Sequence, residues 1–95
     1  MSRRRYLIAY DITEPGRLRR TCSAMEGHGT RLQYSVFLCD MSRGELVVLE
    51  RQLLTIIDTT EDSVVRIDIG PVRACARLHC LGRPRAVPHT GPQNV

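Results

Sequence analysis

Asp11 is the residue of this chain whose type and place best suit chemistry. It closes the apolar run Tyr6-Leu7-Ile8-Ala9-Tyr10 and is soon followed by Arg17, Arg19 and Arg20. A carboxylate at the carboxyl end of an apolar strand, beside an arginine-bearing helix, suits a hard divalent cation. Mg²⁺ takes oxygen ligands and keeps several waters, so one carboxylate per subunit can suffice. Where two such strand ends meet across a twofold axis, the carboxylates repel unless a proton or a cation sits between them. With Mg²⁺ present, the pair could orient water and polarise a phosphodiester. Asp is also a common residue at the start of helices, so Asp11 could equally cap the loop that follows it. Position alone leaves both readings open.

The arginines point the same way. All fourteen basic residues are Arg, whose planar guanidinium makes bidentate phosphate contacts that Lys cannot. Residues 1–20 carry a net +4, residues 40–68 a net −4 and residues 69–95 a net +4, which fits one positive face offered to a polyanion. Arg17, Arg19, Arg20 and Arg31 are the candidate phosphate contacts, set against the plainer reading of a solvated helix face. Tyr34 and Tyr10 could stack on bases or build an interface, while Tyr6 and Phe37 read as core. His28 reads as a helix-end cap, and His79 and His89 stand isolated. Cys22, Cys39, Cys75 and Cys80 form no C-x-x-C pair, so they are not metal ligands; Cys22 and Cys39 lie among apolar neighbours and belong in the core. No phosphate loop, G-x-S-x-G or H-E-x-x-H motif is present.

The elements that must hold these residues follow from periodicity. Residues 5–12 read as a strand apolar on both faces. Pro15 suits a first helical position, with Leu18, Cys22 and Met25 at helical spacing and Gly27-His28-Gly29 ending the helix in left-handed geometry. Residues 30–40 hold two short strands around a tight bend or bulge. Ser42 and Glu45 form a capping box for a helix running to about Asp58, with an apolar stripe of Leu46, Leu49, Leu53, Ile56 and Ile57. Residues 59–62 are polar loop, and residues 63–70 the next strand. This order, β-α-β-β-α-β, is the α+β ferredoxin-like plan. Residues 74–81 read as an extra carboxyl-terminal strand.

Ninety-five residues make one domain, expected over residues 1–82 with a mobile tail over 83–95, where Pro84, Pro88, Gly91 and Pro92 gather. A chain this short hides only roughly 60–65% of the surface its unfolded form exposes, and dimerisation is a natural remedy. No apolar run approaches the ~20 residues that a membrane span needs. The basic amino terminus lacks the long apolar core of a signal peptide. A cytoplasmic protein is expected.

Ile8-Ala9-Tyr10-Asp11-Ile12, the arginine-rich helix after it, and Arg31-Leu32-Gln33-Tyr34-Ser35-Val36-Phe37-Leu38 together resemble the small CRISPR-associated adaptation proteins, the Cas-two family. Residues 61–67 and Cys80-Leu81-Gly82 also look like that family. The resemblance implies a ferredoxin-like protomer in a tight symmetric homodimer, with the extra strand of each copy pairing to the partner's sheet. It implies Mg²⁺- or Mn²⁺-dependent cleavage of RNA or double-stranded DNA, with Asp11 as catalytic and metal-holding residue. It also implies an architectural role, the dimer bridging CRISPR integrase subunits and holding DNA. Two alternatives stand beside it: a non-catalytic DNA-binding scaffold and a ferredoxin-like toxin ribonuclease.

Overall fold

β1 (Arg4–Asp11) is the spine of the fold. It pairs antiparallel with β3 (Val36–Met41) on one side and with β4 (Ser63–Pro71) on the other. β2 (Thr30–Gln33) pairs with β3, so the sheet order is β2-β3-β1-β4. α1 (Pro15–Glu26) and α2 (Arg43–Ile56) complete the expected split β-α-β arrangement. The structure, a computed structural model, describes residues 3–74 and 77–83.

Local chemistry accounts for each boundary. Pro15 sits in the first turn of α1, where its missing N–H costs nothing, and the Glu14 side chain accepts from the Gly16 and Arg17 amides. Ser42 and Glu45 form the expected capping box of α2. Gly27 ends α1 at φ −75°, in right-handed geometry, and not in the left-handed form expected. The glycine that the fold demands is Gly29, where a Cβ would fall on Cys39 Sγ and lie 2.6 Å from Leu38 O.

One face of the sheet is closed. Tyr6, Ile8 and Tyr10 alternate down β1 beside Phe37, Cys39 and Met41 of β3, and Met25, Leu46, Leu49 and Leu53 cover them from the helices. The Tyr10 and Phe37 rings stack at 6.2 Å between centroids. Burial pushes the Cys39 thiol up to about 11, aided by the Asp40 charge.

The other face is open. Leu7, Leu38 and Ile67 form one cross-strand row, and Ala9, Val36 and Val65 the next. Val65 and Ile67 remain 53% and 52% exposed. β1 is therefore covered on both faces only once something lies against this side, which corrects the expectation for a single protomer. An Arg5–Asp40 ion pair at 2.6 Å closes one end of the open face, and Asp11, opposite Ser63, stands at the other.

Residues 72–74 form a 3₁₀ turn, and residues 77–81 carry no strand. Among the described residues of the segment 74–81, the extra strand expected there is thus not formed within one protomer. A strand whose ladder lies on a partner's edge has no hydrogen-bonding mate in a single chain. Cys75 and the expected tail beyond Arg83 lie outside the described residues.

Candidate nucleic-acid and metal site

Asp11 is the last residue of β1 and is exposed. Strand alternation places it on the open face, on the same side as Leu7 and Ala9. Among the described residues, no hydrogen bond or ion pair engages its carboxylate, and no group of three or more His, Cys, Asp or Glu gathers into a metal-binding cluster. Asp11 fits a hard cation in donor type and in access to water. A single protomer supplies only this one carboxylate, so the remaining ligands would have to be waters or a second copy's Asp11.

The mouth around Asp11 is built by two loops held on one buried carboxylate. Asp62, whose side chain is wholly buried, accepts from the Thr13 amide at 2.9 Å, the Asp58 amide at 2.8 Å and Arg17 Nε at 2.8 Å. Arg17 Nη2 also reaches Asp62 Oδ1 and Glu61 Oε1, at 3.3 and 3.2 Å. The Arg17 guanidinium holds the Asp62 carboxyl far below the usual carboxylate range against the opposing effect of burial, and the Thr13 and Asp58 amides add to it. The hydrogen bond to Asp62 in turn pushes Arg17 upward. Thr13 Oγ1 donates to the Glu61 carbonyl at 3.1 Å, a second tie between the loops.

The four arginines expected on phosphate do not form one cluster. Arg17 is committed to Asp62 and Glu61. Arg31 lies over the rings of Tyr34 and Phe37, at 5.3 and 5.8 Å, and its Nη2 donates to Cys22 Sγ at 2.8 Å. Arg19 shares with Arg31, Cys22, Ser23 and Tyr34 an open pocket of about 310 Å³. The buried Tyr10 hydroxyl has no hydrogen-bond partner among the described residues, and burial, with the Cys22 sulfur next in weight, pushes its pKa up. Arg20 is exposed on α1.

Periodicity found Asp11, Tyr6 and Phe37, but not Asp62. Residues 58–62 read as ordinary polar loop, and nothing in that composition distinguishes a wholly buried Asp from a solvated one. The Thr21 side chain, buried on α1 among the apolar positions, was likewise invisible.

Comparison with known proteins agrees with this geometry. The family model described as CRISPR associated protein Cas2 matches residues 4–73. A protein of Rhodospirillum rubrum named CRISPR-associated endoribonuclease Cas2 1 is 38% identical over 66 residues, covering 70% of this chain and 65% of that protein's length, just under two thirds of it. Among solved structures, Streptococcus pyogenes Cas2 superposes with a TM-score of 0.63 at 32% identity, covering 66% of this chain and 82% of that one. A hypothetical protein from Thermus thermophilus superposes with a TM-score of 0.76 at 28% identity, covering 90% of this chain and 98% of that one. Since the family match runs from the first residue of β1 into the turn after β4, taking in every strand and both helices, the chain belongs to the CRISPR-associated Cas2 family.

Proposed function

We propose that the protein is a metal-dependent endonuclease of CRISPR adaptation, active as a symmetric homodimer whose two Asp11 carboxylates meet at the end of the open sheet face. The observation that carries this reading is the placement of Asp11. An exposed, unpaired carboxylate ends a sheet face that is otherwise apolar and uncovered. Whatever covers that face also approaches Asp11, and a second copy brings a second carboxylate there.

Each residue then has a part. Asp11 of each copy would hold Mg²⁺ or Mn²⁺ together with waters. When bound, the ion supplies an acidified water and a polarised phosphodiester oxygen. Arg19 and Arg20 offer guanidinium groups to the phosphates of RNA or DNA, and Tyr34, 58% exposed, offers a ring to an unpaired base, with Arg31 laid over that ring and bonded to Cys22 to orient it. Arg17 serves through the loop it holds, because its guanidinium is already engaged. The pocket between α2 and β4, with Leu53, Leu54, Ile57 and Val64 in its wall, lies along the free edge of β4 and can take the partner's residues 74–81 as an added strand. Among the described residues no helix is long and apolar enough to cross a membrane. A cytoplasmic dimer contacting nucleic acid and the integrase subunit is the setting proposed.

One observation favours a second reading. Among the described residues no group of three or more His, Cys, Asp or Glu gathers, and the nearby Asp62 carboxylate is already taken by Thr13, Asp58 and Arg17, so no free general base is built beside Asp11. In that reading the dimer is a DNA-holding scaffold. The family match sets aside the toxin ribonuclease alternative. The deciding experiment is cleavage of short RNA and duplex DNA by wild type and Asp11→Ala, with Mg²⁺ and with EDTA, alongside size-exclusion chromatography. Activity that needs both the metal and Asp11, in dimers of equal size, supports the nuclease. Metal-dependent activity no higher than the variant's background leaves the scaffold.

A further inference from the structure

We infer that Asp62 is a positioning residue, a buried latch that fixes the backbone on both sides of Asp11. This rests on the reading of Asp11 as the metal-holding carboxylate. Asp62 Oδ1 takes the amide of Thr13, two residues beyond Asp11 in the chain. Ser63, directly after Asp62, is the ladder partner of Asp11. The strand end carrying Asp11 and the strand start facing it are thus anchored to one carboxylate. The Asp58 amide and Arg17 Nε on Oδ2 hold that carboxylate from the other side, one from the loop after α2 and one from the first turn of α1.

Stability alone does not call for this arrangement. A buried ion pair is commonly replaceable by apolar residues of similar volume at no loss of stability, because desolvation offsets the attraction. Helix capping does not call for it either, since Glu14 already accepts from the Gly16 and Arg17 amides. What the latch does that an apolar plug would not is fix direction. It takes a backbone N–H within the Asp11 loop at a defined angle and holds the loop before β4 in register with it. A site that shares one ion between two symmetric carboxylates needs each to be held closely, because any looseness enters twice.

The test separates the latch from the metal reading. Mn²⁺ affinity is measured by electron paramagnetic resonance in wild type, Asp11→Ala and Asp62→Asn, and hydrogen exchange is followed at the Thr13 amide. Asp62→Asn keeps the volume and one acceptor oxygen, which best replaces Oδ2 with its Asp58 and Arg17 donors, and so sets the NH₂ against the Thr13 amide. The expected result is a folded dimer whose Mn²⁺ affinity drops by about 10-fold or more, as when a partner supporting a ligand is removed. Thr13 exchange is expected to quicken while exchange in the centre of β1 holds. Asp11-dependent binding in wild type with unchanged affinity in Asp62→Asn overturns the latch alone. Unchanged exchange at Thr13 overturns it too. Wild-type binding that ignores Asp11→Ala overturns the metal reading and this inference with it. Should Asp62→Asn fail to fold, Arg17→Lys keeps the charge but removes the Nε donor to Asp62 Oδ2. It should weaken Mn²⁺ by a smaller factor of roughly 2–5, below the loss of a full supporting partner, and no weakening refutes the latch.

Discussion

Replacing Ile67 by Asp should break the proposed dimer. Ile67 lies in the row with Leu7 and Leu38 and is 52% exposed, flanked on the same face by Val65 at 53% and Ile69 at 37%. Full burial of such a side chain stabilises by ~1.5–3 kcal/mol, so covering the exposed part of each is worth about 1 kcal/mol, and roughly 6 kcal/mol for the three over both copies. Lost translational and rotational freedom opposes association by ~4–15 kcal/mol. These three residues therefore cannot hold a dimer alone, and the rows of Leu7, Leu38, Ala9 and Val36 must add to them. Ile67→Asp removes about 1 kcal/mol of burial per copy and costs a further ~2 kcal/mol per copy for a polar group without a partner. Symmetry doubles both, giving ~6 kcal/mol, or about 10⁴-fold in Kd at 1.4 kcal/mol per decade. Sedimentation velocity over a concentration series reads this directly, with Val48→Asp on the outer face of α2 (61% exposed) as the control. Monomeric Ile67→Asp beside dimeric Val48→Asp is the expected result. An Ile67→Asp dimer as tight as wild type would place the interface elsewhere and refute the reasoning.

Other perturbations have equally definite outcomes. Arg19→Ala and Arg20→Ala should each weaken nucleic-acid binding without regard to sequence and lower the salt slope by about 0.7–0.9 for each phosphate no longer neutralised, read by fluorescence anisotropy across a salt series. Gly29→Ala should destabilise by ~1–3 kcal/mol in urea unfolding, because the added methyl meets Leu38 O and Cys39 Sγ within the packed core. Asp40, Asp58, Asp62 and Asp68 are all held below the ordinary 3.8, by Arg5, Thr60, Arg17 and Arg4 respectively. Depressed carboxylates contribute stability above their unfolded pKa and lose it as pH falls through the folded value. The Tm should therefore fall as pH drops below about 4, and Asp62→Asn, which cannot titrate, should flatten that decline.

Much of this was legible in the sequence, for physical reasons that differ by element. The α2 start was written in Ser42 and Glu45, because a capping box is a local interaction between residues three apart. The α1 start was written in Pro15 for the same reason. The apolar run of β1 marked a strand and Tyr6 read as core, but a run apolar on both faces could not say which side chains meet the helices or what covers the other side. Gly27 illustrates the limit of type-based inference: the glycine that must be glycine is Gly29, and the reason is the approach of Leu38 and Cys39 from another strand. Asp62 was hidden for the same cause, since its partners Thr13 and Arg17 lie more than forty residues away. Long-range satisfaction of a buried charge leaves no trace in local composition.

In the proposed dimer, the open face would couple assembly to ion binding. Its apolar rows lie between the Arg5–Asp40 pair and Asp11, so no dimer can bury Leu7 and Ile67 through this face without drawing Asp11 toward the seam. Two unit charges about 4 Å apart near a protein surface repel by roughly 4 kcal/mol. That offsets much of the ~6 kcal/mol that the three exposed β4 residues provide in two copies. The repulsion thus weakens the apolar gain, and a cation held between the carboxylates reverses its sign. A ligand that binds only the paired state must tighten pairing by the same factor by which pairing tightens the ligand. The Arg17–Asp62 latch lies behind Asp11 and contributes no apolar surface to the seam, so it can set the geometry of the carboxylate without altering the hydrophobic term. In the proposed dimer, interface and site would thus be one equilibrium on this face, governed by residues on opposite sides of the same strand end.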